Sequence, residues 1–569
     1  MELKKEMNKN KKIKKIEKAL YIFSAILVLL ALIILIVLHI LDIKQWINKK
    51  FPINEINELN LSIEQKLEDF DYLCNVLENG MPSMQIIENE YNIDYASQKE
   101  KYRNLIADST TDYEFYCIIK SYINIFPSTH TGLIYPDYEI YENRAVYHIQ
   151  NVLAVRGIEQ YTKYWNTLLN DKATSFEYED YCSAQYMETT GKYYINDGNG
   201  GAAVISIDGI PVDEYVIMAP LCNALKYDAI NRKLMRDFIL FTSNETEYSK
   251  KVKIKVECAN GDMGELELFA GLCNDFSVLY SVNQNVEVEN DTLLETPAYE
   301  FADNDEYSLT YACISELNSE NADEIKSELE NRKYDTVILD LKNNSGGNLQ
   351  QFLDSLYTPL VKDDSTASFP YYIPRTSVNT KRYFYAYWSL GFFHDYVYKD
   401  LTYTEKTDLP KMEGKYVEYS NQYELTGNHS RNADIYVLVS NDTASAADSL
   451  ASALKKYAGA TVIGNAANGE GLGSSSIADT LPNSRLMFEY YPAVAYNLDG
   501  SCNTLHGTSP DHYIYTMNAV QKQTFNDICN DKKSPFTYEN RLKWDNVLIE
   551  TLEIIKEDKN EQKNNTADK

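Results

Sequence analysis

Three places in this 569-residue chain carry residues able to do chemistry: Ser445, the Gly346-Gly347 pair and His130. Ser445 lies in ADIYVLVSNDTASAADSLASALKKYAGATVIG, residues 433–464. The apolar, β-branched run of Ile435, Val437 and Val439 predicts a buried strand. Ala444, Ala447, Leu450, Ala453, Leu454 and Tyr457 then recur at helical spacing. The serine therefore stands where strand gives way to helix. There a hydroxyl faces the unpaired N–H groups of the first turn, and the helix dipole favours developing negative charge. The chemistry this suits is nucleophilic attack with oxyanion donors built in. Helix capping is the commoner duty of such a serine, and Thr443 and Asp442 compete for it.

Gly346-Gly347 interrupt YDTVILDLKNNSGGNLQQFLDSLYTPL, between a strand expected over Thr336–Leu341 and a helix expected over Leu349–Leu360. Paired glycines at such a junction let backbone N–H groups point into a cleft, although a plain tight turn needs them equally. His130 follows a helical stretch in FPSTHTGLIYP, ahead of a strand-like GLIYP. A lone histidine is more often a satisfied surface or core residue, and its setting is what makes it a candidate base.

Strands alternating with helices around both landmarks imply an α/β core, expected over 300–535 and closed by the helical NRLKWDNVLIETLEIIKE. SRLMFEYYPAVAYN, residues 484–497, alternates like one further strand. Upstream, residues 54–180 form a polar-faced helical region that includes His130. Residues 190–273 change to β-rich character, with a hairpin around Asn260-Gly261. Residues 275–305 are acidic and weakly patterned, as in a linker. Residues 556–569 are charged, lack large apolar side chains and are expected to be disordered.

Residues 1–50 hold eleven Lys against four acidic residues, a charge of +7, which leaves −37 of the chain's −30 on the remainder. So acidic a body is repelled by phosphate, which argues against nucleic acid as a partner. Ala19 to Leu41 is 23 residues without a formal charge, long enough to span a bilayer as a helix. The lysines of segment 1–18 belong in the cytoplasm, which puts the body outside the cell. A cleaved signal peptide is the rival, but no small-x-small site precedes Asp42–Lys50, so an uncleaved anchor is expected. Nine scattered cysteines without a CxxC pair read as small core residues.

Jointly these landmarks resemble the tail-specific, or carboxy-terminal processing, serine proteases. The family's D-L-R-x-N-x-G-G is matched by Asp340-Leu341-Lys342-Asn343-Asn344-Ser345-Gly346-Gly347, and its x-A-S-A-[SA]-[ED] by Thr443-Ala444-Ser445-Ala446-Ala447-Asp448. Its G-x-x-P-D is matched by Gly507-Thr508-Ser509-Pro510-Asp511, and the 190–273 module is similar to the family's PDZ-like domain. The resemblance covers about 55–535. It implies a crotonase/ClpP-like α/β protease core, peptide or protein substrates, and no metal or organic cofactor. It also implies Ser445 as nucleophile, an oxyanion site at the N–H of Ala446 and of Gly346 or Gly347, and peptide presentation by strand addition to the module.

One position departs. Relatives with a serine–lysine dyad carry the lysine 25 residues after the serine, where this chain has Glu470. A carboxylate cannot serve as the desolvated amine, so the resemblance points to the tricorn-core-like branch with a histidine base. His130, in Ser128-Thr129-His130-Thr131, fits that branch's motif; His148 does not. The branch's third residue, a glutamate, falls on Thr504, which leaves Glu470, Glu489 and Asp499 open as partners of the imidazole. The expected function is a membrane-anchored, extracytoplasmic serine endopeptidase. The alternative is a catalytically silent homologue that binds extracellular peptides or proteins.

Overall fold

The computed structural model describes residues 58–136, 159–174, 181–195, 201–245, 249–271, 296–379, 403–404, 409–412, 415–470 and 476–567. The anchor expected over 19–41, the basic segment before it and His148 lie outside these residues. Among the described residues no helix is long and apolar enough to cross a membrane.

Four helices open the described chain: Ile63–Gly80, Ser83–Tyr91, Tyr95–Asp108 and Asp112–Ile123. The first begins with a reciprocal cap between Ser62 and Gln65 and buries Phe70, Leu73, Val76 and Leu77. The fourth is capped by Thr111 and buries ten of its twelve residues. It runs on into Ile125 and Phe126, both 1% exposed, so the turn carrying His130 leaves from a fixed point.

Seven antiparallel strands then form a second body with its own apolar core, in the order Lys192–Ile195, Tyr181–Met187, Phe238–Thr242, Met263–Gly271, Ser249–Glu257, Ala202–Ile207, Ile210–Pro211. The strand Lys192–Ile195 also pairs with Ala202–Ile207, so six strands close into a ring and Ile210–Pro211 hangs on its outside.

The central sheet has six strands, ordered Tyr299–Asn304, Leu309–Ile314, Thr336–Asp340, Asp434–Val439, Thr461–Gly464, His512–Tyr513. The first pairs antiparallel and all the others parallel. Buried on both faces, its inner strands read as continuous apolar runs. The protein is thus of mixed α/β class.

Four sequence expectations differ from what is observed. Tyr299–Asn304 belongs to the central sheet rather than to a linker. Residues 484–497 form two strands in two sheets, Met487–Tyr490 and Val494–Ala495, because Pro492 cannot donate to a ladder and the chain changes sheets there. The stretch after Leu349 is α-helical only to Phe352 and continues as a π-turn over Leu353–Tyr357. Residue 556 begins no disorder: the helix Asn546–Ala567 runs through it. Its polar continuation gains anchors that composition does not reveal, with Asp558 accepting from the Tyr436 hydroxyl and Lys559 donating to the Tyr307 carbonyl.

Candidate active site

The site is laid out by two neighbouring parallel strands. Thr336–Asp340 and Asp434–Val439 pair with Asp340 opposite Leu438, so their C-terminal ends deliver the glycine loop and the serine loop side by side. Crevices at such strand ends are where open α/β sheets bind ligands. The loops are laced together: Thr443 Oγ1 donates to the Leu341 carbonyl at 2.8 Å, Ser440 Oγ to that of Lys342, and the Ala444 N–H to that of Asn344 at 3.1 Å. Asn344, fully buried, anchors the glycine loop by donating from Nδ2 to the Ile314 carbonyl at 2.9 Å.

Beneath the glycine loop lies a buried cluster of charges. Lys342 Nζ sits 2.8 Å from Asp340 and 3.0 Å from Asp545, and Arg541 lies 3.4 Å from Asp545. The Tyr311 hydroxyl donates to Asp340 at 2.7 Å. Burial opposes the Asp340 charge, but the Lys342 ammonium and the Arg541 guanidinium outweigh it and hold the carboxyl below the usual range.

Ser445 is the first residue of the helix Ser445–Ala453 and has φ 53°, a left-handed conformation that costs a residue with a Cβ about 1–2 kcal/mol. The residue at the capping position is Ala444, and no side chain caps this helix. Thr443 is engaged with Ser440 and Leu341, and Asp442 pairs with Lys226. The serine hydroxyl therefore has no capping duty. Gly346 is pressed against this turn: a Cβ on it would lie 2.6 Å from Ser445 Cβ and 2.8 Å from the Ala446 nitrogen.

The two glycines are not equivalent as donors. The Gly346 N–H turns back to Asn344 Oδ1 at 2.9 Å, so Gly346 shapes the loop instead of pointing its N–H into the cleft. No acceptor takes the N–H of Gly347 or of Ala446 among the described residues. Of the three expected donors, these two are left for an oxyanion.

Glu470 joins serine and histidine. The preceding Gly469 bridges to Ala444, and its carbonyl accepts from the Ser445 N–H at 3.4 Å. Glu470 itself is 2% exposed, has φ 56°, and accepts through Oε2 from the His130 N–H at 2.9 Å and the Thr129 hydroxyl at 3.0 Å. Its Oε1 is buried and has no hydrogen-bond partner among the described residues. So Glu470 meets the backbone of His130, where a bond to the imidazole was one expectation.

The His130 turn is held from its other side as well. Gly132 pairs with Glu489, Thr131 Oγ1 accepts from the Tyr491 N–H at 3.2 Å, and the Tyr491 ring lies 5.7 Å from the imidazole, centroid to centroid. Glu489 takes the Ser476 hydroxyl at 2.6 Å. Asp499 is exposed in a turn and accepts twice from Ser501. Thr504 is buried and accepts from the Ala495 N–H. Among the described residues no hydrogen bond joins the imidazole to Ser445 or to any of these three carboxylates.

Sequence reasoning quoted Asp448 in its motif without giving it a role. It is fully buried three residues after Ser445 and accepts from the Thr508 N–H at 2.7 Å and from Asn503 Nδ2. Burial pushes its carboxyl above the usual range, and those bonds only partly offset this. It fastens the Ser445–Ala453 helix to the Gly507–Asp511 loop. Thr129, Tyr491 and Asn344 were likewise missed; only Asn344 had a signal, as the Asn of N-x-G-G. Among the described residues no group of His, Cys, Asp and Glu could hold a metal ion.

Residues 308–514, which contain Ser445, both glycines and Glu470, match peptidase family S41. The chain carries an S41 peptidase domain. The matched region begins at residue 308, so His130 lies ahead of it and meets it through the backbone bond to Glu470. Similar solved structures include mature CPAF complexed with lactacystin, at 13% identity over 79% of this chain and 94% of that one, with a TM-score of 0.42. The photosystem II D1 C-terminal processing protease is similar at 13% identity over 79% and 93%, TM-score 0.32. The tricorn protease is similar at 13% identity over 87% of this chain and 37% of that one, TM-score 0.33. No curated protein matches the chain. Family membership is thus carried by residues 308–514, the stretch that matches the S41 peptidases.

Proposed function

We propose that the protein is a serine endopeptidase in which Ser445 attacks the substrate carbonyl and His130 is the base. The supporting observation is the state of Ser445: a left-handed residue at a helix start whose hydroxyl has no cap to make. Ser445 Oγ bonds to the carbonyl carbon while its proton passes to His130. The oxyanion is received by the N–H groups of Gly347 and Ala446. His130 returns the proton to the amine as the C–N bond breaks, and water, deprotonated in the same way, releases the acyl group. Each oxyanion donor is worth roughly 3 kcal/mol in such a transition state.

The 190–273 module is PDZ-like in this reading, and the chain is held by residues 19–41 with its body outside the cell. Protease added to intact cells should then degrade residues 60–550; their full protection would remove the topology. The peptidase reading is tested with a fluorophosphonate probe, which should label the wild type and not Ser445→Ala. A wild type that resists the probe would favour the silent, peptide-binding reading. That reading draws on the carboxylate in the lysine position and on an imidazole with no carboxylate bonded to it among the described residues.

A further inference from the structure

Glu470 is buried, carries no ion pair among the described residues, and directs one oxygen at the His130 backbone N–H and the Thr129 hydroxyl rather than at the imidazole. Its own chain neighbour, Gly469, receives the N–H of Ser445. Two consecutive residues thus reach the nucleophile through a carbonyl and the histidine turn through a carboxylate. The conformation is constrained at both positions. Gly469 has φ 86°, and a Cβ on it would lie 2.0 Å from the Asn503 carbonyl; Glu470 has φ 56°.

We infer that Glu470 is a positioning residue: a strut that sets the His130 turn against Ser445 through hydrogen bonds to the Thr129 hydroxyl and the His130 N–H, not through its charge on the imidazole. The inference rests on the Ser445–His130 reading. The strut replaces with fixed geometry what a carboxylate behind the imidazole supplies by orienting the ring, because a turn held at its backbone leaves the side chain few ways to move. Its requirement is an acceptor oxygen at one place. Glutamine supplies that oxygen, and its amide nitrogen falls where Oε1 accepts from no donor among the described residues, so neither of the two bonds is lost.

The test compares Glu470→Gln, Glu470→Ala and Thr129→Val, alone and in a His130→Ala background, by peptide turnover and fluorophosphonate labelling rate. Glu470→Gln should keep kcat within about threefold, and Glu470→Ala should lower it roughly 100-fold with KM within about twofold, the scale of an ångström of misplacement. Thr129→Val, which removes one bond of the two, should fall between them. With His130 already gone, Glu470→Ala should change the residual labelling rate less than about twofold, since a strut for an absent base has nothing to place. A loss of about 10,000-fold in Glu470→Gln would overturn the inference in favour of a charge acting on the imidazole. Equal losses with and without His130 would overturn it in favour of a purely structural residue. Should Glu470→Ala not fold, Glu470→Gln against Thr129→Val decides, because only the strut predicts that glutamine outperforms the threonine variant. An unlabelled wild type, or an undiminished His130→Ala, would instead defeat the Ser445–His130 reading itself.

Discussion

Replacing Gly346 with alanine isolates the contact on which the nucleophile's geometry depends. The new Cβ would stand 2.6 Å from Ser445 Cβ, 2.7 Å from the Ala444 carbonyl oxygen and 2.8 Å from the Ala446 nitrogen. Carbon atoms pack at about 3.5 Å or more, so the serine turn must retreat by roughly 0.9 Å. Gly346 also has φ +97°, which alanine tolerates at a cost of about 1–3 kcal/mol. Overpacking adds about 1–3 kcal/mol. A loss of about 2–6 kcal/mol leaves most proteins of ordinary stability folded. The fluorophosphonate labelling rate should nevertheless fall roughly 100-fold. Gly459→Ala is the control: its φ is +67° but nothing lies within 4 Å of the added Cβ. It should lose about 1–2 kcal/mol and label at the wild-type rate. Thermal unfolding and labelling kinetics on the same samples give both numbers. A Gly346→Ala protein that labels like the wild type and melts no lower than Gly459→Ala would refute the reasoning.

Ser445→Gly should be more stable than Ser445→Ala by about 1 kcal/mol, because glycine sheds the left-handed penalty and loses only part of it to unfolded-state entropy; equal urea midpoints would contradict the strained turn. Lys342→Met should cost about 3–5 kcal/mol by leaving buried carboxylates under-compensated. The pH dependence follows from Asp340, whose folded pKa is depressed. Its contribution is present above the ordinary aspartate range near pH 4 and is lost as pH falls through the lower folded value. Urea titrations from pH 6 to pH 3 should therefore show the wild type losing more stability on acidification than Lys342→Met. Asp448→Ala, which takes the acceptor from the Thr508 N–H and one of two acceptors from the Asn503 amide, should cost about 1–3 kcal/mol; a midpoint within error of the wild type would remove its fastening role.

What the sequence made legible was local. Ser445 and Gly346-Gly347 each sit between an apolar strand and a helix start, and a dozen residues carry enough pattern to say so. The direction of the Gly346 N–H was hidden because it depends on the Asn344 side chain folding back over two residues. Glu470, Glu489 and Asp499 were indistinguishable as carboxylates. What separates them is which segments meet in space: Glu470 finds Thr129 and His130, and Asp499 takes its hydrogen bonds from Ser501 in its own turn. The break at Pro492 was visible in the sequence, but period-two alternation on both sides of it suggested one strand. The helix through Ala567 was not visible, since its partners Tyr436 and Tyr307 come from distant parts of the chain.

The bond between Glu470 and His130 spans 340 residues of sequence. During synthesis at about 5–20 residues per second, the histidine turn waits roughly 20–70 seconds for the carboxylate that fixes it. Until then the turn lacks both of the bonds that Glu470 makes to it. The same separation means that a single cut between the two, followed by parting of the fragments, undoes both bonds at once. On the peptidase reading proposed above, the histidine turn is therefore set in place only when the fold is complete.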